Sequence, residues 1–284
     1  MAADFTLSRY RRYLEAIQAT FGAPLKFDEW LRAPRSPTRF CLIRHDVDRR
    51  PDRALRMARL EAERGIHASY YFRSKAGSFA PPVIRSIAQL GHEIGYHYEC
   101  LSDCGGDLAG AYRDFTGHLQ RLRECAEVST VSMHGRPLSR YDNRDLFRDP
   151  EYHDRLIHRL GVLGEIYLDI DYRDICYISD TGRNWYSSRA NIRDQVESDI
   201  VREFSNGDDL LAYLRGSPHP RMVFQIHPER WTDTALEWSM QTLKDGAVNG
   251  IKVVLRSSRM PYLHEVGRRM RDGEGTGCGS GGRR

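Results

Sequence analysis

The run Arg44-His45-Asp46-Val47-Asp48 sets two carboxylates two residues apart, directly after the apolar stretch Phe40-Cys41-Leu42-Ile43. A short β-prone stretch that is apolar at every position reads as a strand buried on both faces, as in a parallel sheet. Strand alternation puts Arg44, Asp46 and Asp48 on one side and His45 and Val47 on the other. Paired carboxylates at the end of a buried strand are costly unless a cation or a proton sits between them. Asp and His ligate zinc, and also manganese, iron or cobalt. A hydrolytic ion takes about three protein ligands and keeps one position open for water. Asp48, His97 and His134 are the expected ligands, each at the end of a different strand. Asp46 can face the same cavity and take a proton from water, and His227 can protonate a leaving group. Cys100 and Cys104 beside His97 make a Cys/His zinc cluster conceivable, although no second close cysteine couple accompanies them.

These residues need strands to carry them to one place. Apolar spacing predicts a helix over residues 7–21, a short strand over 23–27 and a linker over 34–37. Helices are expected over 53–64, 81–90 and 108–125, the first two stopped by Gly65 and Gly91. Strands are expected over 66–73, 93–98, 129–133, 164–171, 175–179 and 222–226. Strand and helix alternating at this rhythm mean βα units and a parallel sheet. Right-handed crossovers bring the C-terminal ends of the strands to one edge, where α/β enzymes place their chemistry. Residues 137–160 are charged and irregular. A mostly helical stretch over 236–256 precedes a Gly-rich tail, which is expected to be disordered.

Composition narrows the function classes. Hydrophobic residues are 40% and charged residues 29% of 284, enough for one large α/β domain or two small ones with a substantial core. The net charge of +4 is spread among acidic residues instead of gathered in a stripe, so nucleic acid is not an expected partner. No apolar run approaches the ~20 residues of a membrane span. The first residues lack a basic-then-apolar leader, which predicts a cytoplasmic location with the six cysteines as free thiols. Oligomeric state is not readable.

Three ordered segments, Arg44-His45-Asp46-Val47-Asp48, Gly91-His92-Glu93-Ile94-Gly95-Tyr96-His97 and Ile226-His227-Pro228, resemble the motifs of the polysaccharide deacetylase family, carbohydrate esterase family 4. The resemblance covers roughly residues 38–232. It implies a NodB-like distorted (β/α) barrel of about seven parallel strands over 38–270, with 1–37 as a helical extension and 271–284 as the tail. It implies hydrolysis of N-acetyl groups from a sugar or glycan precursor with a divalent metal, zinc foremost. Asp46 matches the catalytic base, Asp48 and His97 metal ligands, and His227 the general acid. Arg136 matches the arginine that orients the base. Two departures stand out. The second metal histidine of the family falls on Leu101, so His134 must replace it or the ion is lost. The run Ser179 to Trp185 has no family counterpart; its polar groups and aromatic ring make Asp180 and Trp185 candidate sugar contacts. The alternative is a deacetylase-fold protein that binds a glycan or cleaves another C–N bond.

Overall fold

The computed structural model describes residues 3–35, 37–136, 139–185, 196–232, 234 and 236–240. Its architecture belongs to the compact unit formed by residues 1–239. Seven strands make one sheet: β1 (Phe40–Val47), β2 (Ser69–Phe72), β3 (Glu93–Tyr98), β4 (Val128–Met133), β5 (Gly164–Glu165), β6 (Cys176–Ser179) and β7 (Arg221–Ile226). Their order is β5-β4-β3-β2-β1-β7-β6, and every pairing is parallel. Read as a cycle, this is the strand order of a (β/α) barrel opened between β5 and β6. The fold is therefore the expected distorted barrel of seven parallel strands, and all the strand ends that bear candidate residues share one rim.

Helices cover the outside. They are α1 (Leu7–Phe21), α2 (Phe27–Arg32), α3 (Pro51–Ala62), α4 (Pro81–Gln89), α5 (Cys100–Asp103), α6 (Leu108–Arg123), α7 (Asp145–Arg148), α8 (Pro150–Asp154) and α9 (Gly207–Arg215). All eight residues of β1 are buried, the three polar ones included. On its outer face, His45 Nε2 lies 2.7 Å from Glu61 Oε1, and Glu61 also accepts hydrogen bonds from the hydroxyls of Tyr10 and Tyr70. A buried carboxylate is tolerated because each oxygen is engaged. The same cluster joins α1 to β1 through α3. Helix α1, within the stretch read as an extension, is thus tied to the barrel strand.

Four local readings differ from the sequence expectation. Residues 23–27 are not a strand: Leu25 forms a single bridge to Leu42, and α2 begins at Phe27. The expected strand over 164–171 ends after Glu165. Asp169 Oδ2 accepts from Glu165 N at 2.6 Å, and the Glu165 carboxylate accepts from Met133 N and Tyr167 N at 2.8 Å each. Side chains that bond nearby backbone in this way compete with the ladder. The irregular stretch 137–160 holds α7, α8 and a π-helical turn, Arg155–Arg159. Helix α9 was not foreseen, though Asn206 caps it by accepting from Asp208 N and Asp209 N, and Leu210, Leu211 and Leu214 form its buried side. Residues 236–240 are helical. The rest of the helix expected to 256, and the tail, lie outside the described residues.

Gly95, in β3, has no room for a side chain. A Cβ there would stand 2.3 Å from the Tyr71 ring and 3.1 Å from the Thr130 carbonyl oxygen. Overpacking a closed interior of this kind typically costs about 1–3 kcal/mol. Gly95→Ala should lower stability by that amount in urea unfolding; an unchanged midpoint would show that the interior is looser than described.

Candidate metal centre

The three expected ligands arrive from three strand ends. At the end of β1, the Ser78 hydroxyl donates to the Val47 carbonyl and Arg50 takes a left-handed φ of 56° before Pro51 opens α3. This turn leaves Asp48 at the rim. His97 lies in β3 with Nδ1 3.0 Å from the Ser132 carbonyl oxygen. A carbonyl only accepts, so Nδ1 carries the proton and Nε2 keeps a lone pair. His134 follows β4, where its backbone N donates to Tyr98 O at 2.7 Å and Asn143 Nδ2 donates to its carbonyl at 3.0 Å. Its Nδ1 lies 3.1 Å from Glu99 Oε2.

Both Nε2 atoms face one oxygen. Asp48 Oδ1 is 3.5 Å from His97 Nε2 and 3.3 Å from His134 Nε2. The three ligand atoms all lie within 4.8 Å of one another. A tetrahedral site with bonds of about 2.0–2.1 Å has ligand separations of about 3.3–3.4 Å, and the two distances from Asp48 Oδ1 match that spacing. Two further facts support the fit. Asp48 Oδ1 is buried and makes no hydrogen bond of good geometry. Each imidazole is also held through Nδ1 by an acceptor, the arrangement that aims metal-binding histidines.

Glu99 anchors this arrangement and was not foreseen from sequence. Its Oε1 accepts from Arg73 Nε at 2.9 Å and pairs with Lys75 Nζ at 3.0 Å. Burial opposes its charge, but His134, Arg73 and these bonds hold the carboxyl well below the usual range. The two ligand histidines differ. Burial holds His97 neutral, with a pKa lowered to about 4. For His134, burial is outweighed by Asp48 and Glu99, and its pKa rises to about 10. Without an ion, the charge of a protonated His134 stands between the two carboxylates.

Asp46 sits one layer inward. Arg44 clamps it with two bonds, Nε to Oδ1 at 2.8 Å and Nη2 to Oδ2 at 2.7 Å. Gln225 Nε2 donates to Oδ2 at 2.6 Å. Arg44 is itself fully buried, bonded to the Ser132 and Tyr167 hydroxyls, with the Tyr167 ring 4.3 Å away. Burial raises the Asp46 pKa, yet Arg44 prevails and the carboxyl is held at about 2. Across the mouth, His227 Nδ1 lies 2.6 Å from Asp180 Oδ1, while Trp231 Nε1 donates to Oδ2 at 2.8 Å. Burial and Arg230 work against a proton on His227, but Asp180 prevails and raises its pKa. Glu229 is buried beside these groups, and desolvation together with Asp48 lifts its carboxyl to about 7.

The remaining candidates stand elsewhere. Arg136 does not reach Asp46; it pairs with Asp103 and lies 3.8 Å from Glu99. The arginine that clamps Asp46 is Arg44, from the same strand. Asp180 is fully buried beneath His227 and holds that imidazole instead of facing the mouth. Trp185 is 3% exposed, stacked on Phe5 at 5.2 Å and Phe224 at 6.0 Å, so it packs the interior instead of offering a platform. Leu101 is buried on α5. The sequence signal for Arg44 was its period-two spacing to Asp46, and for Glu99 its place directly after β3.

No family model and no curated protein matches the chain. Among solved structures, it is similar to a Streptococcus mutans CE4 esterase, with 13% identity, a TM-score of 0.44, and coverage of 84% of this chain and 91% of that one. A likeness this remote assigns no residue of the site.

Two outcomes follow from the geometry. Glu99→Gln should weaken zinc affinity about 10–100-fold, as loss of a partner behind a ligand does; unchanged affinity in calorimetric titration would remove Glu99 from the site. In metal-free protein, His134 has a raised folded pKa, so its contribution to stability is complete below about 6.5 and disappears as pH rises through about 10. The stability difference between the parent and His134→Leu, from urea unfolding at stepped pH, should shrink over that window.

Proposed function

We propose that the chain is a metal-dependent hydrolase that removes an N-acetyl group from a sugar or glycan precursor, with zinc as the first choice of ion. The observation that carries this reading is the buried Asp48 oxygen faced by two imidazole nitrogens whose other nitrogens are already engaged. Asp48, His97 and His134 would hold the ion. Bound there, a divalent ion supplies Lewis-acid polarisation of an amide carbonyl and acidifies water. The acetyl-sugar substrate comes from the motif resemblance, not from the geometry.

The chain's own groups divide the proton work. Asp46, 3.7 Å from His97 Nε2, faces the same cavity and accepts the proton of the attacking water. Arg44 and Gln225 fix its plane, which keeps the accepting lone pair aimed at one spot. His227, carrying its proton because Asp180 binds Nδ1, presents Nε2 to the departing nitrogen and protonates it. A neutral amine leaves, and acetate remains.

The rival reading is a protein that binds a glycan without cleaving it, or acts on another C–N bond. One observation favours it: a carboxyl held at about 2 is a weak proton acceptor. Acetate release from N-acetylated sugars by the zinc-loaded chain separates the two. His227→Gln should lower kcat about 10²–10⁴-fold with a smaller change in KM. Asp46→Asn should lose turnover and keep the ion, since Asp46 is not a ligand; circular dichroism guards against unfolding, because Arg44 loses its counter-charge. A fully active Asp46→Asn chain would overturn the assignment.

A further inference from the structure

Strand β3 alternates. His97 points toward Asp48, and its neighbour Tyr96 points the other way, against α6. The Tyr96 hydroxyl lies 3.1 Å from Cys100 Sγ and 2.9 Å from His118 Nδ1. Sγ and Nδ1 are 4.0 Å apart. Asp114, one turn before His118 on α6, brings Oδ1 to 3.6 Å from His118 Nε2. One donor atom from each of Cys100, Asp114 and His118 lies within 4.8 Å of the other two.

We propose that Cys100, Asp114 and His118 form a second divalent-cation site of the zinc class, on the outer side of β3 and back to back with the catalytic centre. One thiolate, one imidazole and one carboxylate suit zinc or cobalt and do not suit magnesium or calcium, which take oxygen alone. Three ligands leave one position for water, as at an exchangeable site. An entry path exists: Cys100 is 1% exposed, but the side chains of His118 and Asp114 are 22% and 35% exposed. Ion uptake breaks the Cys100 S–H bond, releases the proton to solvent and forms the metal–sulfur bond, with no oxidant or reductant. The Tyr96 hydroxyl, already touching Sγ, is placed to hydrogen-bond the resulting thiolate. The ion would tie α5, which follows the catalytic His97, to α6. The Cys/His cluster conceivable from sequence set Cys100 and Cys104 beside His97; Cys100, on α5, instead meets the outward-facing Tyr96 and His118.

Cobalt(II) reads this site apart from the other, because only this one contains a thiolate. Titrating the full chain with cobalt(II) should produce a near-ultraviolet sulfur-to-cobalt charge-transfer band. The band should persist in the His97→Ala/His134→Ala chain, whose catalytic ligands are gone. It should disappear in Cys100→Ser, and Asp114→Asn and His118→Gln should each weaken its cobalt affinity at least tenfold. Circular dichroism of these three variants should match the parent. Absence of the band at saturating cobalt, its survival in Cys100→Ser, or an unchanged cobalt affinity in both Asp114→Asn and His118→Gln overturns the proposal. Loss of deacetylation with the band intact leaves this site standing and strikes only the catalytic reading.

Discussion

Two carboxylates stand two residues apart at the mouth of a fully buried strand, and each needs a positive partner because solvent reaches one only in part and the other hardly at all. Asp46 meets this demand inside the barrel, through the two-pronged contact with Arg44 and the amide of Gln225. Asp48 meets it at the rim, through the imidazoles of His97 and His134. The difference sets their chemistry. A carboxylate saturated by an arginine is a fixed, ionised acceptor, whereas one faced by two imidazole nitrogens is a place for a cation, a metal ion or in its absence the charge of a protonated His134. The barrel interior follows from the first pair: Ser132, Tyr167, Tyr177 and Gln225 all serve to keep Arg44 and Asp46 bonded in the absence of solvent.

The charge pattern outside the ligands has the same logic. Glu99 would be a liability beside Asp48, but Arg73 and Lys75 balance it, which frees its second oxygen to orient His134. His227 depends on Asp180 as His134 depends on Glu99. In each case a buried acid, held ionised by its surroundings, selects the ring nitrogen that faces the cavity. Two such carboxylate–imidazole pairs, Glu99–His134 and Asp180–His227, thus recur at the strand ends.

Much of this was legible in the sequence because it rests on short-range pattern. The apolar run into Arg44-His45-Asp46-Val47-Asp48, the βα rhythm and the histidines at strand ends all follow from alternation and periodicity, and the observed sheet order agrees. What escaped depends on contacts between distant segments. Nothing local says that Glu99 will meet His134, 35 residues on, or that Asp180 will lie beneath His227, 47 residues on. Trp185 looked like a sugar platform because a tryptophan among polar residues suggests a surface; Phe5, Tyr13 and Phe224 enclose it instead. The strand expected beyond Glu165 failed for a local reason, since Glu165 and Asp169 bind backbone N–H groups that a ladder would need.

The central claim is that Asp48, His97 and His134 jointly hold one divalent ion. Anomalous diffraction at the zinc absorption edge, on crystals of the zinc-loaded chain, tests it most directly. The account predicts a peak about 2.0–2.2 Å from the Asp48 carboxylate and from Nε2 of both histidines. A zinc-soaked crystal with no peak there, or with a peak that one of the three residues does not touch, would contradict it.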